Sequence, residues 1–155
     1  MPPPDQTGVQ AFTKKILATY SAQRLALKKK MTEEEFESVR VSTVDNYQGE
    51  ENDIILLSLV RCNPQGSIGF LSTSNRVCVA LSRARHGLYC IGNLTQLRAK
   101  SELWRQILTY VQNEGLLGTT LSLFCQRHPN YSKKVADSSD FRTLFPEGGC
   151  IKCPT

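Results

Sequence analysis

Two arginines on one short segment, and a glycine set among polar residues upstream of them, are the features of this chain best suited to chemistry. The segment Asn75-Arg76-Val77-Cys78-Val79-Ala80-Leu81-Ser82-Arg83-Ala84-Arg85 puts Arg76 and Arg83 seven residues apart, two turns of a helix. Each guanidinium offers a planar fork of donors and a charge that does not titrate, so two on one helix side can grip phosphate oxygens. Val77, Ala80, Leu81 and Ala84 recur at the spacing of an apolar face that would seat such a helix on a core. A solvated basic face is the competing reading of the same spacing. Upstream, Val44-Asp45-Asn46-Tyr47-Gln48-Gly49-Glu50-Glu51-Asn52-Asp53 supplies a glycine for a tight turn and leaves Gln48 and Glu51 to reach a ligand at a sheet edge. Taken alone, that stretch also reads as a charged surface turn.

Positioning these groups requires strands and helices in alternation. Residues 16–20 form an apolar run suited to a strand, and Ser21 offers an N-cap to a helix that closes on Lys28-Lys29-Lys30. Thr32 and Glu35 suit a capping box for a short helical turn, and Val39–Val44 returns to strand composition. Asp53–Val60 is almost continuously apolar, the pattern of a central strand covered on both faces of a parallel sheet. A loop at Asn63-Pro64-Gln65-Gly66 precedes an expected helix from about Ser74 to Arg85, a strand at Leu88–Ile91, and an amphipathic helix from Ser101 to Glu114 closed by Gly115. The alternation predicts an α/β layered domain. Past about Leu121 periodicity gives way to Cys, His, Pro, Ser and Gly, which places a boundary near Leu117–Leu123.

At 155 residues the chain can bury one full core, with 40% hydrophobic and 21% charged residues typical of a globular domain. The start, Met1-Pro2-Pro3-Pro4-Asp5, lacks the apolar core of a secretion signal, and no apolar run approaches a membrane span, so an intracellular location is the expectation. Nineteen Lys and Arg against fourteen Asp and Glu give a net charge of +5, which suits a polyanionic partner without requiring one.

Taken together and in this order, Val44–Arg61 and Gly69–Arg85 resemble motifs V and VI of superfamily 1 helicases, in the branch typified by the nonsense-mediated-decay RNA helicase. Thr19-Tyr20-Ser21-Ala22-Gln23-Arg24 is similar to motif IV of that branch, and Ile91-Gly92-Asn93 and Leu103-Trp104 extend the likeness, which covers about residues 9–117. Cys78 stands where the family carries asparagine, and Ser82 where it carries threonine. The resemblance implies a RecA-like three-layer domain with a mainly parallel sheet over 9–120, after an extension at 1–8. It implies that Arg24 and Arg83 stabilise charge on the departing γ-phosphate of ATP held by a partner domain. Gln23, Gln48, Gly49 and Glu51 would bind the nucleotide and couple its site to nucleic acid, with Glu51 near the ribose. Thr43, Arg61, Asn75 and Arg76 would touch the backbone of single-stranded RNA without reading sequence.

No glycine is followed by lysine and no Asp-Glu dipeptide occurs, so the chain has neither a phosphate loop nor a magnesium-binding acidic motif of its own. ATP and Mg would therefore act only with a first RecA-like domain of the same full-length protein, and hydrolysis by this chain alone is not expected. A non-catalytic RNA-binding scaffold and a DNA-directed relative stay open as alternatives.

The tail at 121–155 carries Cys125-Gln126-Arg127-His128 and Cys150-Ile151-Lys152-Cys153, separated by 21 residues. Two ligand pairs of that spacing suit tetrahedral zinc. Equally, Gly148-Gly149-Cys150-Ile151-Lys152-Cys153 could open a further finger, or the thiols could bind nothing. This tail after such a motor resembles the NF-X-type zinc-finger-containing helicases. That resemblance implies a place in cytoplasmic RNA granules or the nucleus, and roles in innate immunity or small-RNA silencing.

Overall fold

Four parallel strands carry the residues of interest. The computed structural model describes residues 12–31, 36, 39–60, 67–125, 128–137, 139 and 140. In chain order these give β1 (Lys14–Ala18), α1 (Ser21–Lys30), β2 (Val39–Thr43), β3 (Asn52–Ser58), a 3-10 turn (Gly69–Ser72), α2 (Ser74–Leu81), β4 (Ala84–Ile91), α3 (Leu94–Lys100), α4 (Glu102–Asn113), β5 (Leu121–Cys125) and β6 (His128–Val135). The chain divides into two compact units, residues 1–108 and 109–155.

The main sheet runs β2-β1-β3-β4 with every described pairing parallel, so β3 is internal, as its apolar composition predicts. Register puts Lys15 beside Ile55 and Leu17 beside Leu57, all on one face. That face is the core: Leu17, Ile55 and Leu57 are fully buried, together with Tyr47, Leu71 and Val77. The other face of β3 was expected to be covered too. Instead Leu56 of β3 and Tyr89 and Ile91 of β4 stay exposed on that face.

Several boundaries differ from expectation. The first strand lies two residues earlier than 16–20, and the N-cap of α1 is Tyr20, with no side-chain cap from Ser21. The predicted helix to Arg85 stops at Leu81, and β4 begins at Ala84, so Ala84 and Arg83 leave the helix while Val77 and Ala80 remain its buried face. An unexpected helix, α3, forms because Asn93 caps it by accepting from the Gln96 N–H at 3.0 Å. Residues 121–135, expected to be irregular, contain an antiparallel hairpin. The capping box at Thr32–Glu35 and the loop at 61–66 lie outside the described residues. Among those described, no helix is long and apolar enough to cross a membrane.

Candidate nucleotide and nucleic-acid interface

The site is built on the turn between β2 and β3. Val44 N–H bonds the Ala18 carbonyl at 3.1 Å, and Tyr47 N–H bonds the Val44 carbonyl at 3.1 Å, which curls the chain back on itself. Gly49 completes the turn at φ +74°, a left-handed conformation that costs glycine little. Gln48 and Gly49 stand exposed at the tip.

Beneath that tip the turn is pinned from three directions. Lys15, 6% exposed on β1, reaches Glu50 Oε2 at 3.1 Å and lies 3.9 Å over the Tyr47 ring. Tyr47 is fully buried, and its hydroxyl accepts from Asn52 Nδ2 at 3.3 Å. Burial pushes the Tyr47 hydroxyl above its ordinary pKa, against the lowering effect of that hydrogen bond. Arg83 supplies the second tether and Arg85 the third: Arg85 Nε donates to Glu51 Oε2 at 2.9 Å.

Arg83 itself is held by all three nitrogens. Nε donates to the Val79 carbonyl at 2.8 Å, Nη2 to Ser82 Oγ at 3.1 Å, and Nη1 to the Glu50 carbonyl at 3.3 Å. Its own carbonyl accepts from Asn52 N–H at 3.1 Å. Ser82, at the position where the family carries threonine, thus uses its hydroxyl to orient the guanidinium. Arg76 sits at the other end of α2, 3.7 Å from Asp45 and over the Phe70 ring at 5.0 Å. Although Arg83 has left the helix, the two arginines meet opposite ends of the same turn.

Arg24 and Gln23 occupy α1, half-buried. Among the described residues no hydrogen bond or ion pair joins Arg24 to the turn. The preceding Tyr20 does tie this region to the approach to α2: its hydroxyl donates to the Ile68 carbonyl and accepts from Phe70 N–H, both at 2.9 Å. Motifs IV and VI are thereby fastened to each other.

The nucleic-acid set is less uniform. Asn75 and Arg76 are exposed at the start of α2, but Thr43 is only 7% exposed at the end of β2, so as placed it offers little surface to a sugar-phosphate backbone. Arg61 lies outside the described residues, as do Cys150 and Cys153. Cys125 and His128 are register partners across the β5–β6 hairpin. The described residues contain no group of three or more metal-ligating side chains. Sequence reasoning missed Lys15, Glu50, Asp53 and Arg85, whose only local signal was charge beside the motif residues.

The profile of the AAA domain family matches residues 6–95, which span β1 through the start of α3 and so every tether just described. The chain belongs to the AAA domain family of superfamily 1 helicases. This helicase-family domain is 53% identical over 135 residues to the human NFX1-type zinc finger-containing protein 1, covering 87% of this chain and 7% of that protein. It is 42% identical over 123 residues to Helicase required for RNAi-mediated heterochromatin assembly 1 of Schizosaccharomyces pombe, covering 76% of this chain and 12% of that protein. With the Regulator of nonsense transcripts 1 homolog of Arabidopsis thaliana it shares 33% identity over 151 residues, 93% of this chain and 12% of that protein. The chain therefore spans about a tenth or less of the length of these relatives. The domain has the RecA-like α/β architecture, with its four-stranded parallel sheet and flanking helices.

Proposed function

We propose that this domain is the second motor domain of an ATP-dependent RNA helicase, supplying arginines to a nucleotide whose phosphates and Mg are held by a first RecA-like domain. The observation that carries this reading is the anchoring of Arg83. A guanidinium has five N–H donors, and three hydrogen bonds, one of them to the Glu50 carbonyl of the motif V turn, fix its plane, so two donors remain to meet a phosphate without reorganisation. Arg24 is the second arginine, Gln23, Gln48 and Gly49 are the coupling elements, and Glu51 is the ribose-side carboxylate. The sequence has no Asp-Glu pair, so in this reading the ligands of Mg are supplied by the first domain.

RNA contact falls to Asn75 and Arg76. The Arg76–Asp45 pair is exposed on both sides, and such a pair is weak enough to be exchanged for a phosphate. The names of relatives in RNA interference and nonsense-transcript regulation favour RNA over DNA. Joined to its first domain, the motor should hydrolyse ATP in an RNA-stimulated manner, and Arg83→Ala should abolish turnover while ATP still binds. Unchanged turnover in that variant overturns the assignment.

A second proposal concerns the tail, where Cys125 and His128, register partners across the hairpin, would supply two of the ligands of one zinc ion. Zinc content of chelator-free protein, compared between the parent and Cys125→Ser, tests it; equal content in both rules this site out.

A further inference from the structure

The carboxylate assigned to the ribose has a partner that no motif role explains. Arg85 Nε donates to Glu51 Oε2 at 2.9 Å, while Glu51 Oε1 makes no hydrogen bond among the described residues. Arg85 is in turn braced from behind. Its Nη1 lies 4.0 Å from Asp53 Oδ1, and Asp53 Oδ2 accepts from Thr13 N–H at 2.9 Å and from the Thr13 hydroxyl at 2.8 Å. A chain of polar contacts therefore runs from the entry of β1, through β3 and β4, to the last residue of the motif V turn.

We infer that Arg85 is a positioning residue for nucleotide selection: it holds Glu51 by one oxygen so that the other points outward to accept a ribose hydroxyl. The inference deepens the proposed function and rests on Glu51 facing the ribose. Both side chains are more than half exposed, and an ion pair of that kind contributes almost nothing to folding. Its value lies in orientation. Without Arg85 the Glu51 side chain regains its rotamers, and the hydrogen bond to the nucleotide must first restrict them. Arg83, two residues earlier, acts on phosphate charge and belongs to turnover. Arg85 belongs to binding.

The two-domain motor distinguishes these roles when its ATPase kinetics are measured with ATP and with 2′-deoxy- and 3′-deoxy-ATP. Glu51→Ala and Arg85→Ala should each raise the KM for ATP roughly five- to tenfold and leave kcat within about twofold, since uniform binding is lost but no transition-state contact. Each should also remove the penalty that the parent shows against a deoxynucleotide, and the double variant should be no worse than either single one. Arg85→Lys should recover part of the discrimination, which guards against a variant that misfolds, and melting midpoints should stay at the parental value. Additive effects in the double variant overturn the inference, as does an Arg85→Ala variant that loses kcat while keeping its ribose discrimination. If instead Glu51→Ala keeps full discrimination, the ribose reading of Glu51 is itself the part that fails, and the inference falls with it.

Discussion

Arg83 and Arg24 are assigned the same task but stand in opposite surroundings. Arg83 is fastened by three hydrogen bonds beneath a turn that Lys15 and Arg85 also pin. Arg24 rides on α1, which buries none of its residues completely and has no acidic residue in its first turn. In the proposed motor the first arginine is oriented before any ligand arrives, whereas among the described residues no side-chain hydrogen bond or ion pair fixes the second. Preorganised donors act without reorganisation at the moment of reaction, and mobile ones spend part of their interaction on becoming fixed.

The largest expected effect follows from that difference. In the two-domain motor, Arg83→Ala should lower kcat by roughly 10³-fold or more, as loss of an arginine finger does. Arg83→Lys should be almost as damaging, because one ammonium cannot reproduce a fork that spans Val79, Ser82 and Glu50. Arg24→Ala should cost less, roughly 10²-fold, and Arg24→Lys should retain much of the activity, since charge rather than a fixed plane is what α1 delivers. Steady-state ATPase rates at saturating RNA check all four, and equal tolerance of lysine at both positions would break the comparison.

Much of this contrast could be read from the sequence, and the rest could not. Motif spacing located Gly49, Arg83 and the internal strand β3, because each depends on local chemistry: a turn glycine, a run of β-branched and aliphatic residues, an arginine after an apolar helix. The end of α2 was misjudged because Ala84 fits an apolar helix face as well as the first residue of a strand. The pins were hidden for a different reason. Glu50 is 35 residues from Lys15, and only the folded register puts Lys15 on the core face beside Ile55. The cap on α3 was visible in Asn93 and Gln96, three residues apart, and the hairpin of the tail in the alternation of Leu121, Ser122 and Leu123. Burial of Thr43 follows from its place on β2, which motif likeness alone does not reveal.

Backbone changes sharpen the comparison on a smaller scale. A Cβ at Gly92 would lie 2.7 Å from Leu59 Cβ, next to the Leu59 N–H bond to the Ile91 carbonyl. Gly92→Ala should therefore destabilise the chain by about 1–3 kcal/mol, as overpacking does. Gly49→Ala meets no atom within 4 Å and carries only the strain of φ +74°, so about 1 kcal/mol is expected. On the α1 side, Leu25→Ala at 58% exposure should change stability by no more than about 0.5 kcal/mol. Urea unfolding of the three variants ranks them, and a Leu25 effect as large as that of Gly92 would show α1 to be as tightly built as the motif V side.

The smallest effect concerns the brace behind Arg85. Hydrogen bonds from the Thr13 N–H and hydroxyl, in that order, hold the Asp53 carboxyl below its ordinary pKa, with smaller contributions from the charges of His86 and Arg85. A carboxyl depressed in the folded state stabilises it at pH values above the ordinary carboxylate pKa, near 4. That stabilisation is lost as pH falls through the depressed value. Melting midpoints of the parent and Asp53→Asn should therefore differ at about pH 6 and converge as pH falls through the depressed value. Thr13→Ala, which removes the hydroxyl but keeps the N–H, should show a smaller version of the same convergence. A gap that stays constant with pH would mean that Asp53 braces Arg85 through shape alone, and the turn would then owe its rigidity to Lys15 and Arg83.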